Sequence, residues 1–377
     1  MSVIADRPSM EASLVRALSR HIGHTTGAYD LDRIMSVLDF FRDRSSAYKE
    51  EILAYLRERG GREEKTVTED YLAEVLTFAR SFGIVELVSS KESRLQKYSC
   101  PELGRSMLAA MDVGNLEFFQ FFKARTIFLA DADSLVAVLS YYADKRSVTL
   151  NEYYIGFFAE VRRARYEWLR EAFPEPTLLK RITDRLSWLT GSRNSGLTPK
   201  IEVFSSNTAR HHSTPRRGWL ASFNMFEPDT STLTEFGERA LRSLLSAKSY
   251  FWLAPPRGVQ ELLRITPPLI TDGPYEDEFA FACELEAASV SDVEALLPDV
   301  AKMMIEGYPS AKLVHASQAS VQLPIEYIIY RSYTDGVAYD ILQVLDEVFH
   351  KYRDEIDRLS AFKGKIGFYR VKSELRG

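Results

Sequence analysis

Apolar positions recur at helical spacing through most of the chain. Leu31, Ile34, Leu38 and Phe41 share one face of a helix over 31–41, as do the apolar residues of 14–22 and 48–56. GGREEK then breaks the pattern with paired glycines and charge. Thr66 and Glu69 have capping-box spacing, in which each side chain satisfies an orphan backbone donor of the helix start. The helix behind them is expected to bury Leu72, Val75, Leu76, Ala79 and Phe82. GIVELVSSKESRLQKYSC reads as two short strands around a polar turn, and PELGRSMLAAM as a closing helix.

Farther on, 115–129 is apolar on more than one face, with Phe118, Phe119, Phe121 and Phe122, as expected of a helix buried between layers. A short helix over 134–142 follows. Thr149 and Glu152 repeat the capping box and open a long helix whose core stripe is Tyr153, Tyr154, Phe157, Phe158, Val161, Trp168 and Leu169. Pro174 and Pro176 end it. Next come a helix over 178–189, a Gly/Pro/Ser-rich basic loop, and TARHHSTPRRGWLASFNMFE, expected as a hairpin wing. Thr232 and Glu235 form a third capping-box pair before a second closing helix. The two closing helices resemble each other, ELGRSML at 102–108 and EFGERAL at 235–241, and a glycine early in each lets a neighbouring backbone approach closely.

These successions predict a mainly α protein with small β hairpins, built from tandem winged-helix modules. The expected divisions are an N-terminal segment 1–29, a first winged-helix module 30–113, a helical linker and second module 114–250, and a C-terminal domain 251–377. The Pro-rich run from APPRG through ITPPL to DGPYEDE marks the last boundary. Beyond it, helices over 292–306, 325–333 and 340–356 lead to RLSAFKGKIGFYRVK, two strands around a basic turn. A third winged module and a small α+β domain both fit.

The length of 377 residues suits two or three domains, and 12% aromatics argue against extensive disorder. No basic-then-apolar leader and no apolar run of about 18 residues occur, so neither a secreted nor a membrane-spanning chain is expected. With Cys100 and Cys283 in no paired spacing, a cysteine-rich zinc site or disulfide framework is not expected, and a cytoplasmic setting is the simplest.

Charge adds a sharper clue. From 161 to 217, twelve Lys/Arg face five acids, a local excess of +7 within a chain of net charge −5, leaving −12 on the remainder. Lys180, Arg181 and Arg185 lie on the helix before the basic loop, with Arg181 and Arg185 one turn apart, as groove contact requires. Arg193 sits in the loop, and Arg210, His211, Arg216 and Arg217 are placed along the second wing as phosphate contacts. Lys91, Arg94 and Lys97 occupy the first wing. The capped helix beside that wing carries Glu69, Asp70 and Glu74, so the first module suits a protein or dimer contact better than DNA.

No phosphate loop, HExxH, GxSxG or paired CxxC occurs. His211 and the adjacent His212 make a poor shared metal site, and no metal or cofactor is expected. The acids Asp272, Glu276, Asp277, Glu278, Glu284 and Glu286 suit a magnesium-dependent nuclease only weakly, since ELE lacks a matching lysine and the run borders a Pro-rich linker.

At TPRRGWL and TEFGERAL the chain resembles winged-helix segments of bacterial restriction and anti-phage defence proteins. That resemblance implies a non-enzymatic subunit working beside a separate enzyme. The expected function is therefore double-stranded DNA binding within a bacterial defence, repair or regulatory complex. The alternatives are an adaptor binding protein subunits or a homodimeric partner, and, third, the nuclease.

Overall fold

The structure is a computed structural model, and it describes residues 31–59, 68–88, 96–144, 147–172, 174–185, 205–227, 231–238, 241, 286–308, 319–359 and 368–372. They are mostly helical with small antiparallel sheets, as the periodicity predicts. Contacts divide the chain into two compact units: one holds the described residues of 31–130 and 286–372, the other those of 131–241. The C-terminal stretch thus packs with the first module, and the division falls at residue 131, within the stretch expected to link the first two modules.

In the first unit, α1 (Leu31–Phe40) leads through β1 (Ser46–Tyr48) to α2 (Lys49–Arg59) and α3 (Glu69–Ser81), then β2 (Glu86–Val88), β3 (Lys97–Ser99) and α4 (Glu102–Val113). This is the order expected from the sequence with one strand added. The three strands are antiparallel with the last in the middle, β1-β3-β2. Ile34, Val37 and Leu38 of α1 and Leu72, Val75, Leu76 and Ala79 of α3 are buried where those two helices pack. Such burial contributes about 1.5–3 kcal/mol for each large side chain. The cap of α3 falls at Thr68, whose hydroxyl accepts from the Tyr71 amide; Thr66 lies outside the described residues.

The helical run α5 (Leu116–Ala143) has non-helical backbone at Asp131, φ −138° and ψ 34°, where the units divide. In the second unit, its last turns lead to α6 (Leu150–Ala172), α7 (Pro176–Arg185) and α8 (Ser206–Ser222). The capping box of α6 forms as expected: the Thr149 amide donates to Glu152 at 2.8 Å and the Glu152 amide to Thr149 Oγ1 at 3.3 Å. Tyr154 and Phe158 of α6 share a core with Ala137 of α5 and Ala209 of α8.

Beyond residue 285 the chain runs β4 (Glu286–Ala287), α9 (Val290–Glu306), β5 (Ala319–Ser320), α10 (Gln322–Asp335), β6 (Val337–Ala338), α11 (Ile341–Lys351), β7 (Ile356–Leu359) and β8 (Phe368–Val371). Apart from β4 and β6, which pair with each other in parallel, this repeats the succession helix, strand, helix, helix, strand, strand. The sheet order β5-β8-β7 again puts the last strand in the middle. Helices α9 and α10 pack against each other and against α4. A buried ion pair ties α10 to α5: Arg125 Nε donates to Glu326 at 2.6 Å, and Gln322 Nε2 donates to the other carboxylate oxygen at 2.7 Å. Burial raises the Glu326 pKa, and Arg125 and Gln322 oppose the shift.

The middle of the chain requires a correction. TARHHSTPRRGWLAS, expected as a hairpin wing, is helix α8, capped by Ser205, whose hydroxyl accepts from the Thr208 amide at 3.1 Å. The hairpin comes after it, marked by the antiparallel bridge Phe226↔Leu233, and residues 235–238 turn into a helix. Thr234, and not Thr232, caps that turn, its hydroxyl accepting from the Gly237 amide at 3.0 Å.

Read one element later, the end of α8 and the turn after it match the end of α3 and the turn after it. Helices α3 and α8 both end in Ser-Phe followed by a left-handed residue, Gly83 (φ 76°) and Asn224 (φ 58°). In both, the next amide reaches back five residues to a helix carbonyl, Ile84 to Ala79 and Met225 to Leu220, each at 3.1 Å. The left-handed residue's own amide reaches back three, Gly83 to Arg80 and Asn224 to Ala221, each at 3.0 Å. This double closure satisfies carbonyls that a helix end otherwise leaves unpaired. Gly104 then lies against the Ile84 carbonyl and Gly237 against the Met225 carbonyl, the close backbone approach that the shared glycine foretells.

Candidate nucleic-acid interface

Helix α8 contains no acidic residue. Its inner face buries Ala209, His212, Ser213, Pro215, Arg216, Trp219 and Leu220. The opposite face exposes Asn207, Arg210, Thr214, Arg217, Gly218 and Ala221, whose spacing of three and four residues forms one continuous stripe. That stripe carries two guanidinium groups, an amide and a hydroxyl, all able to donate hydrogen bonds to phosphate oxygens or base edges.

The adjacent arginines Arg216 and Arg217 have opposite fates because neighbours on a helix are rotated by about 100°. Arg216 is fully buried. Its Nε donates to Asp131 at 2.7 Å, one terminal nitrogen donates to the His212 carbonyl at 3.1 Å, and the guanidinium lies 5.2 Å from the Trp219 ring centroid. The expectation of a phosphate contact at Arg216 is therefore corrected: its charge is committed to Asp131. A buried pair of this kind has its desolvation offset only while both partners are present.

Arg217 points outward. Its guanidinium lies 5.6 Å from the centroid of Tyr142 on α5 and 5.9 Å from that of Phe226 in the hairpin. Those two rings meet edge to face at 5.0 Å. Burial raises the Tyr142 pKa, with the charge of Arg217 opposing it.

The other residues singled out in the sequence are dispersed. Lys180 and Arg181 are exposed on α7, while the side chain of Arg185 and the whole of Arg193 lie outside the described residues. Arg210 is exposed and His211 half-buried on α8, and His212 is buried beside Tyr154 with ring centroids 6.1 Å apart. In the first unit Lys97 sits on β3 with its Nζ 5.9 Å from the Tyr48 ring centroid, and Lys91 and Arg94 lie outside the described residues.

The other two helices that precede a hairpin among the described residues, α3 and α11, are of opposite character. Helix α3 exposes Glu69 and Asp70 in its first turn, with Arg57 reaching Glu69 at 3.9 Å. On α11, Asp346 pairs with Arg358 of β7, and Glu347 accepts from Gln343 at 2.8 Å.

No three His, Cys, Asp or Glu side chains converge as metal ligands among the described residues. The acids at 272–284 lie outside them, and Glu286 is exposed on β4. Cys100 is buried, and burial pushes its thiol up to about 12, far from the thiolate that nucleophilic chemistry uses. Among the described residues, no single helix is long and apolar enough to cross a membrane. No protein-family model, no curated protein and no solved structure matches this chain.

Asn207 and Thr214, together with Tyr142 and Phe226 around Arg217, escaped the sequence reading. A signal for them existed. Ser-Phe-Gly-Ile and Ser-Phe-Asn-Met stand at equal positions before the two hairpins, which makes the segment ahead of Asn224 the counterpart of α3.

Proposed function

We propose that the chain is a non-enzymatic DNA-binding component of a bacterial defence, repair or regulatory assembly, built from winged-helix modules, with α8 as its duplex-facing helix. One observation carries the proposal. Of the three helices that precede a hairpin in the described residues, α3, α8 and α11, α8 alone lacks acids and exposes arginines at helical spacing. A helix lying along a groove between two phosphate rows needs such a face, since each acid there would meet phosphate charge. Contact falls to the helix and not the wing, because the hairpin after α8 begins with Glu227 and Asp229 in its sequence.

The acidic α3 and α11 favour a second role for the remaining modules, as contacts for protein subunits. Leu342 of α11, 53% exposed, supports that assignment, because large apolar side chains on a module's outer helix suit a protein partner better than a phosphate backbone.

The test is fluorescence anisotropy of a labelled mixed-sequence duplex at low salt, with the wild type and Arg210→Glu. Binding by the wild type, weakened at least tenfold in the variant, supports DNA contact at α8. Equal binding by both, or none by either, refutes it.

A further inference from the structure

We infer that Gly218 is the point of closest approach between α8 and the duplex, kept free of a side chain so that the sugar–phosphate backbone can lie against the helix. The inference rests on α8 facing DNA. A glycine in a helix interior is less stable than an alanine there, so its presence calls for a reason. Among the described residues, most glycines have theirs inside the chain. Gly83, Gly114 and Gly336 have φ of 76°, 76° and 73°, a region that side chains disfavour. A Cβ at Gly104 would meet the Ile84 carbonyl, one at Gly237 the Met225 carbonyl, and one at Gly307 the Leu323 side chain. Gly156 and Gly218 remain. Both lie inside helices and are exposed, and no described atom comes within 4 Å of a Cβ built on either.

The two differ in what surrounds them. Gly156 has the exposed Glu152 and Glu160 one turn before and after it, a face that phosphate avoids. Gly218 has Thr214 one turn before it and Arg210 two turns before it, all on the exposed stripe of α8. A guanidinium, a hydroxyl and a bare backbone thus follow one another at four-residue spacing, on a helix with no acidic residue. The first two donate to phosphate oxygens, and the missing Cβ lets the strand come close enough for both to reach. The turn that ends the helix does not demand glycine here. Six residues before the left-handed Gly83 and Asn224, α3 carries the exposed Thr77 where α8 carries Gly218.

The experiment pairs urea unfolding with duplex anisotropy on the full chain, comparing the wild type with Gly218→Ala, Gly218→Leu and Gly156→Ala. Gly218→Ala should raise the midpoint followed by tryptophan fluorescence, because alanine is the better helix former and its Cβ meets no described atom. The same variant should bind duplex about tenfold more weakly, the cost of forcing one methyl group into a closed contact. Gly218→Leu, with the longer side chain, should bind more weakly still. Gly156→Ala should also gain stability but keep wild-type affinity. A glycine with a purely structural role would not move stability and affinity in opposite directions.

Wild-type affinity in Gly218→Ala overturns the inference, and if Arg210→Glu still weakens binding in the same assay, α8 still faces DNA. Equal weakening by Gly156→Ala and Gly218→Ala also overturns it. So does a lowered midpoint in Gly218→Ala, which would give the glycine a role inside the fold. A wild type that binds no duplex removes the underlying interface, and the inference with it.

Discussion

Alanine at Gly104 or Gly237 strikes the close contact that each of these glycines makes with the backbone carbonyl just after a helix end. A Cβ at Gly104 would lie 2.7 Å from Cys100 Sγ and 3.2 Å from the Ile84 carbonyl carbon, with the carbonyl oxygen closer still. At Gly237 it would lie 3.2 Å from the Met225 carbonyl carbon and 3.3 Å from its Cα, again with the oxygen closer. In each case the obstacle is backbone, pinned by the double hydrogen-bond closure of the preceding helix, so it cannot rotate away. Overpacking of this kind costs about 3 kcal/mol, and the better helix propensity of alanine returns about 1, for a net loss near 2 kcal/mol in either module. Urea unfolding reads the two sites separately. Trp219 is buried in α8, and no tryptophan falls within 31–130 or 286–372. Gly237→Ala should therefore lower the midpoint followed by tryptophan fluorescence, and Gly104→Ala the midpoint followed by far-ultraviolet circular dichroism. Gly156→Ala is the control. Nothing lies within 4 Å of a Cβ built there, so propensity predicts a gain of about 0.5–1 kcal/mol. Unchanged midpoints in both test variants would show that the glycines are not needed for close approach.

Three other outcomes follow from buried groups and exposed charge. Arg216→Leu strands the Asp131 carboxylate and should cost about 3–5 kcal/mol, whereas Asp131→Leu with Arg216→Leu should recover most of that loss in the same denaturation assay; equal stability of the single and double variants would contradict the pair. The Cys100 thiol keeps its proton in the folded chain up to about pH 12, against an ordinary value of 9.0, so the fold binds the extra proton and loses stability as pH rises between those values. Cys100→Ala lacks that loss, so its stability relative to the wild type should rise by about 1.4 kcal/mol between pH 8 and pH 10, and a pH-independent difference would count against the buried thiol. Glu69→Lys with Asp70→Lys on α3 should leave duplex affinity within about threefold of the wild type if that helix faces away from DNA, and a strong gain would show that its acids had been repelling the duplex.

Most helices were legible because their buried residues are apolar and recur at 3.6-residue spacing. Leu72, Val75, Leu76, Ala79 and Phe82 are all buried as expected, and so are Tyr154, Phe158, Val161 and Leu169. Helix α8 was not legible. Its inner face includes His212, Ser213 and Arg216, polar groups whose burial is made tolerable by partners such as Asp131, 85 positions away in sequence. Pro215 and Gly218 inside the helix further imitate loop composition. With the helix hidden, local sequence places its basic residues on a wing and gives its role to the neighbouring α7.

The caps show a smaller ambiguity of the same kind. Thr66 and Thr68, like Thr232 and Thr234, are alternative caps two residues apart. Packing selects the later of the second pair, since a helix beginning after Thr234 sets Gly237 against the Met225 carbonyl. The strands β2, β3, β7 and β8 and the closing helix α4 were readable from local sequence, but the return of the chain beyond residue 285 to pack on α4 depends on contacts between distant segments. Arg125 and Glu326, 201 positions apart, are one such contact.

The salt dependence of duplex binding by the Arg210→Ala, Arg217→Ala double variant tests α8 as the DNA-facing helix most directly. Loss of two phosphate contacts should reduce the slope of log K against log salt by about 1.8 relative to the wild type, with Trp219 fluorescence confirming an intact second unit. A slope equal to that of the wild type, or a wild type whose affinity does not respond to salt, would contradict the assignment.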